Sequence, residues 1–294
     1  MNRVDSQYQD LLTQILEFGE ERNDRTGTGT LSIFGASFEH CMCNGFPILT
    51  TKKMPLKTIA TELKWFLKGD TNIKYLLENN CHIWDGDAYK LYERTYSYDL
   101  DEPLPMNEFI DKIKTDDTFA KTWGELGPIY GKQWRDWKGR DQIQKLITDL
   151  KENPHGRRHL VSAWNVDELE SMTLPPCHYG FQCYVSNDGK LSLMWNQRSV
   201  DVFLGLPFNI TSYAMLLLLL CEETGYKPGT LLGSFGDVHL YKNHLEPAKE
   251  LLNRVGYPLP DKMEITNCNI LEGEFDYKLE GYESHPTIKA KLSN

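Results

Sequence analysis

One helix limits the fold of this chain more than any other feature. Residues 207–224 read PFNITSYAMLLLLLCEET, and Gly225 follows. The stretch is apolar around its whole circumference, and glycine is a common helix stop. A helix with no polar face must be buried on every side, so the rest of the chain has to wrap it. Its longest unbroken apolar run is 214–221. A bilayer span needs about 20 such residues, so this is the central helix of a folded core. A chain of 294 residues is long enough to bury it.

The wrapping elements alternate irregularly. Tyr8, Leu11, Leu12, Ile15 and Leu16 have helical spacing, which predicts an amphipathic first helix. A second helix is predicted over 57–68, with the stripe Ile59, Leu63, Phe66 and Leu67, stopping at Gly69-Asp70. Glu62 lies on the edge of that stripe, three residues after Ile59 and four before Phe66. Beside apolar side chains its carboxylate is desolvated and its pKa should rise. The plainer reading is a boundary glutamate that reaches solvent or an arginine. Residues 160–166 read as a strand. Residues 181–185 and 191–195 flank Asn187-Asp188-Gly189 and read as a β-hairpin. Strands and helices without βαβ alternation predict an α+β fold. No repeat or Pro/Gly/Ser linker divides the chain, so residues 1–294 are expected to form a single domain. Residues 85–123, rich in Asp, Glu, Lys and Tyr, are expected to be a variable surface insertion with a helix near 106–114.

Charge narrows the partners. With 32 basic and 42 acidic residues the net charge is −10. Such a chain is unsuited to coating DNA or an anionic membrane, although a few gathered arginines can still hold a phosphate. The amino terminus lacks an apolar stretch of signal type, so a cytoplasmic location is expected. Seven irregularly spaced cysteines do not form a disulfide framework, and reduced thiols fit better. Cys41 and Cys43 lack the second ligand pair that zinc requires, so no metal is expected and both read as strand residues.

Four segments carry candidate chemistry. In Pro175-Pro176-Cys177-His178 two prolines fix the approach to a cysteine whose thiol a neighbouring histidine or arginine can activate. Alone, Cys177 also reads as a buried, inert thiol. Arg25 in DRTGTGT (24–30), the pair Arg157-Arg158, and Arg198 are forks suited to phosphate oxygens. Each could instead be a surface ion pair. The Gly/Thr segment reads as flexible and donor-rich, and it lacks the Lys-Ser/Thr ending of a P-loop. Asn209, near the start of the apolar helix, is either its N-cap or an amide that pairs with a base edge. In GDVHLY (236–241) alternation puts Asp237, His239 and Tyr241 on one face, which either binds sugar hydroxyls or faces water.

Taken together, these segments resemble the thymidylate synthase family over nearly the whole chain. The resemblance is carried by DRTGTGT (24–30), GELGPIYGKQWR (124–135), RRHLVSAWN (157–165), LPPCH (174–178) and above all QRSVDVFLGLPFNITSY (197–213), in that order. It implies a twisted mixed β-sheet covered by helices, with the sheet used for dimerisation. It implies reductive methylation of dUMP to dTMP, with 5,10-methylenetetrahydrofolate giving both carbon and hydride. Cys177 would add to C6 of dUMP as thiolate. Arg198 would favour the thiolate and touch the phosphate, joined there by Arg25, Ser199 and the partner's Arg157 and Arg158. Asn209 would pair with the uracil edge, Gln197 and Asp201 would belong to the dUMP site, and His239 and Tyr241 would hold the deoxyribose. Trp84, Asp201, Leu204, Gly205 and Ser293 would form the folate site. Glu62 would organise proton transfers, and Tyr130 would assist the water that removes the C5 proton.

Three positions depart from the family pattern. The tail ends in Asn294, where family members usually carry a small aliphatic residue whose carboxylate helps seal the site. Asn196 stands where a tyrosine is usual, and Pro55 where several members use a polar folate contact. A looser seal would admit water to the exocyclic methylene, so the alternative is a dUMP hydroxymethylase. A dCMP-specific relative would carry aspartate at Asn209. From other classes, a nucleotide-binding protein without catalysis and a Cys-His thiol hydrolase remain.

Overall fold

A computed structural model describes residues 2–24, 26–96 and 102–292. The apolar helix begins two residues earlier than its sequence suggests. It spans Gly205–Thr224 and ends at Gly225, whose left-handed backbone (φ 79°) turns the chain away. Leu206, Ile210, Ala214, Leu217 and Leu220 are all essentially without solvent contact. By length and composition this helix could cross a membrane, but most of it is buried within the fold.

Against it lies a six-stranded mixed sheet. In chain order the strands are β1 (Glu20–Arg22), β2 (Thr30–Cys41), β3 (Leu160–Ser162), β4 (His178–Val185), β5 (Lys190–Asp201) and β6 (Lys227–Tyr241). In space the order is β1-β2-β6-β5-β4-β3. The pair β5–β6 is parallel and the other neighbours are antiparallel. The apolar helix is the crossover between β5 and β6, as a parallel pair requires. Phe181, Leu193, Trp195 and Leu231 line the sheet's inner face and are wholly buried. A separate hairpin pairs β7 (Met263–Asn269) with β8 (Glu274–Leu279).

The helices close the other sides. They are α1 (Arg3–Phe18), α2 (Leu56–Leu67), α3 (Lys74–Glu78), α4 (Asp85–Tyr96), α5 (Met106–Thr115), α6 (Asp117–Trp123), α7 (Tyr130–Arg135) and α8 (Gln142–Glu152). The apolar helix is α9, and α10 is Leu245–Leu252. The first helix and α2 lie where the spacing predicts them. The hairpin is also as read, although both its strands run further, and Gly189 takes a positive φ at its turn. The strand expected over 160–166 is shorter, ending at Ser162.

Two expectations change. Residues 85–123 hold three helices instead of one. Most of their charged residues are exposed, Asp85 being buried, while Tyr92, Phe109 and Phe119 pack ring to ring, with Trp123 edge-on to Tyr92 at 4.9 Å. The high polar content hid this aromatic cluster. Residues 97–101 lie outside the described residues. The cysteines also differ from the all-thiol reading. A one-turn 3-10 helix after β2 folds Cys43 back onto Cys41, and the two form a disulfide. Cys81, Cys177, Cys183, Cys221 and Cys268 are not cross-linked.

Candidate active site

The carboxyl ends of β5 and β6, the start of α9, and α2 and α7 surround a cavity of about 690 Å³. It gathers Glu62, Trp84, Tyr130, Cys177, Gln197, Arg198, Ser199, Asp201, Leu204, Gly205, Asn209, His239 and Tyr241. Thirteen residues singled out from sequence, from six regions of the chain, therefore share one space. Arg157 and Arg158 do not line it and are exposed beside β3. Arg25 and Ser293, like Asn294, lie outside the described residues.

Cys177 stands just before β4 and is partly exposed to the cavity. Its backbone N–H donates to the Tyr130 hydroxyl at 2.8 Å, and its carbonyl accepts from the Arg198 N–H at 2.9 Å. Arg198 also grips the preceding turn. Its Nε donates to the Pro176 carbonyl and its Nη2 to the Pro175 carbonyl, each at 2.9 Å. Prolines supply carbonyl acceptors but no N–H, so this turn is suited to being held by a cation. Arg198 thus fixes the approach to Cys177 and brings its charge into the same cavity.

His178 is not the activating cation. Its Nδ1 is 2.8 Å from the Tyr213 hydroxyl, and its ring stacks on Tyr130 at 4.3 Å. Burial lowers its pKa to about 3, so the ring is neutral at physiological pH. An imidazole so engaged is not a general base for Cys177, which removes the footing of a Cys-His hydrolase.

Glu62 projects from α2 into the cavity. Its Oε1 accepts from Trp84 Nε1 at 2.8 Å, and the residue keeps partial exposure to the cavity. Burial raises its pKa to about 7, partly offset by the Trp84 hydrogen bond. This is the shift expected from its edge position. It leaves a carboxyl that can give or take a proton near neutrality. The Tyr130 phenol, buried beside Cys177, is held well above its ordinary pKa and so remains protonated.

The opposite wall is made from the ends of strands and the start of α9. Asn209 sits one turn inside that helix, whose N-cap position is Leu204, so the capping explanation does not hold. Asp237, His239 and Tyr241 do share one face, and His239 Nδ1 is 3.1 Å from Asp237 Oδ1. Gln197 is buried. Its amide oxygen accepts from Trp195 Nε1 at 3.1 Å and its nitrogen donates to the Ser199 carbonyl at 3.0 Å. Within the Gly/Thr segment, Asp24 is the side chain that the described N–H groups converge on. Asp24 accepts from the N–H groups of Thr26 and Gly29 at 2.6 and 2.7 Å and gathers the loop around itself.

The turn between β5 and α9 is held from several sides. Asp201 Oδ1 accepts from the N–H groups of Phe203 and Leu204 at 3.0 and 3.2 Å. The Tyr8 hydroxyl donates to the Val202 carbonyl at 3.0 Å, and Lys52 Nζ donates to the Phe203 carbonyl. Lys52 is buried, which lowers its pKa to about 8, and Asp201 partly counters the shift. Sequence reasoning missed Tyr8 and Lys52 because they act on main chain from distant segments. It also missed Tyr213 and Phe208 as cavity residues. Tyr213 was findable, since it lies four residues after Asn209 on the same helix face.

The family model described as thymidylate synthase matches residues 6–294. A protein named thymidylate synthase from Mesoplasma florum is 48% identical over 288 residues, covering 98% of this chain and 99% of that one. One of the same name from Mycoplasma mobile is 47% identical over 290 residues, with the same shares covered. A probable thymidylate synthase of Escherichia phage T5 is 48% identical over 301 residues, again at 98% and 99%.

Proposed function

Because the chain belongs to the thymidylate synthase family, we propose that its cavity carries out the reductive methylation of dUMP to dTMP. One observation carries the reading. A cysteine (Cys177), a carboxyl of near-neutral pKa (Glu62) and a helix amide (Asn209) open into the same cavity. These are the nucleophile, the proton carrier and the base reader that the reaction needs. The wall of Ile83, Trp84, Leu204 and Phe208 beside the Asp201 carboxylate fits a flat, hydrogen-bonding ring such as a pterin. When bound, 5,10-methylenetetrahydrofolate supplies the one-carbon unit and the hydride.

The roles are those that membership of the family implies. Cys177 adds to C6, and Arg198 favours its thiolate from the same cavity. Addition makes C5 nucleophilic. Asn209 and Gln197 orient the base, with Asn209 offering a donor and an acceptor. Ser199, Arg198 and Arg25 bind the phosphate, and His239 and Tyr241 the sugar. Glu62 moves protons between the folate nitrogen and the base carbonyl, with Trp84 aiming it. Tyr130 steadies the water that takes the C5 proton. Leu204, Gly205 and Ser293 border the folate. The exposed Arg157 and Arg158 serve the partner's phosphate in a homodimer that pairs the sheets' outer faces. The whole chain acts as one domain. We place the protein in the cytoplasm, with Cys177 as a free thiol nucleophile.

The test is to incubate the protein with dUMP and methylenetetrahydrofolate, follow dihydrofolate absorbance and weigh the nucleotide product. Formation of dTMP with matching dihydrofolate is expected. Hydroxymethyl-dUMP without dihydrofolate would mean that water captures the intermediate. Turnover of dCMP alone would overturn the assignment of Asn209.

A further inference from the structure

The carboxy-terminal strap passes along the cavity, where Ala290 and Leu292 form part of the lining. Between them, the Lys291 carbonyl accepts from His244 Nε2 at 2.7 Å. Asn243 Nδ2 lies 3.4 Å from the same oxygen. A carbonyl only accepts, so Nε2 is the donor in this bond. Among the described residues Nδ1 has no partner, and His244 has no solvent contact. An imidazole buried with one nitrogen unsatisfied carries a cost, and its one strong hydrogen bond goes to the strap. Its ring lies 5.4 Å from Phe203 and 5.8 Å from Tyr241, edge-on to the latter. Phe203 belongs to the turn that Asp201 and Lys52 hold. One side chain therefore touches the strap, the turn beside the folate wall and a sugar-side tyrosine.

We propose that His244 is the positioning residue that fastens the strap over the cavity and so decides whether hydride or water reaches the activated nucleotide. This deepens the dUMP reading and rests on it. Late in that reaction the nucleotide carries an exocyclic methylene on C5 and a C6–Sγ bond to Cys177. Hydride adds to the methylene carbon, the methylene π electrons move to form C5=C6, the Cys177 thiolate leaves and the oxidised folate releases the proton of its ring nitrogen, giving a methyl group and dihydrofolate. Water can add at the same carbon with the same electron movement. The thiolate again leaves, the spare water proton is released, and the products are hydroxymethyl-dUMP and unoxidised tetrahydrofolate. Water reaches the carbon only where the cover lifts.

The full-length protein, His244→Ala and His244→Gln are compared in two assays. Carboxypeptidase release of tail residues, without substrates, reads the fastening directly. Mass analysis of the nucleotide after turnover reads the outcome. Loss of one hydrogen bond should speed tail release by about fivefold to tenfold in His244→Ala. The hydroxymethyl share should rise by a similar factor, with a larger KM increase for folate than for dUMP. His244→Gln, which keeps a donor, should recover most of both effects and guards against misfolding of the alanine variant. In a Leu292→Asp background, where the strap is already loosened, His244→Ala should add little. Unchanged tail release in folded His244→Ala would overturn the fastening. Faster release with an unchanged product ratio would overturn the control of product. Absence of any nucleotide product from the wild type would instead remove the dUMP reading, while tail release would still report on the fastening.

Discussion

Glu62 shows how a single side chain acquires function from its place. On the edge of an apolar stripe it loses water, and the one indole that reaches it does not fully compensate. The pH dependence follows. Activity should show an inflection near the Glu62 pKa of about 7. Trp84→Phe removes a hydrogen bond that favours the carboxylate, so the inflection should move to higher pH. Glu62→Gln should lower kcat by about a hundredfold or more while binding dUMP nearly normally. The sign for stability can be worked out as well. The folded carboxyl holds its proton to higher pH than the unfolded one, so its contribution is present below pH ~4.5 and is lost as pH rises through about 7. Thermal melts should therefore show Glu62→Gln gaining on the wild type across that window. Spacing put this residue on the edge of the stripe but left the boundary reading open, and only the family resemblance gave it a role. His178 was not legible, since no pattern in LPPCH reveals that its ring stacks on Tyr130 and is neutral.

Secondary structure was legible where periodicity was strong. The helices α1, α2 and α9 and the β4–β5 hairpin follow from it directly. The helices α4 and α6 were hidden because their partners are aromatic rings on each other, and short amphipathic segments rich in charge look like loop. Connections were harder still, because their conformation depends on what they meet. Gly127 is such a case. Its φ is 81°, and a Cβ there would stand 2.1 Å from the Ser171 carbonyl oxygen. It leads into α7 and thus sets Tyr130. Gly127→Ala should cost about 1–3 kcal/mol from backbone conformation alone, and more from the clash. Its thermal midpoint should fall, with kcat falling in parallel. Asp5 ties α1 to the segment before α2. Its buried carboxylate accepts from the N–H groups of Thr50 and Thr51, both at 3.1 Å, and from their hydroxyls at 2.5 and 2.7 Å. Asp5→Ala would strand four donors next to Lys52. A loss of about 3 kcal/mol or more is expected in denaturant unfolding.

The sheet has two faces, and α9 covers only one. Across the other runs a row of cross-strand neighbours: Leu160, Gln182, Met194, Leu232 and Glu39. Leu160 is 53% exposed, and Tyr184 on the same face is 66% exposed. A partly apolar sheet face left open in this way suits a partner, and a second copy is the simplest symmetric one. On the proposed function the site would use the same partner, since Arg157 and Arg158 do not line the cavity of their own chain. If each chain lends these arginines to the other, two inactive variants should rescue each other. Cys177→Ala lacks the nucleophile and Arg158→Ala the lent cation, so each alone should be severely impaired. In a mixed dimer both defects fall on one site and the other is intact. Equal mixing with free exchange should then restore about a quarter of wild-type activity, since half of the dimers are mixed and each has one good site. Sedimentation should show dimers throughout. A mixture no more active than its components would mean that each site is built within one chain, and the outer face would then need a different explanation.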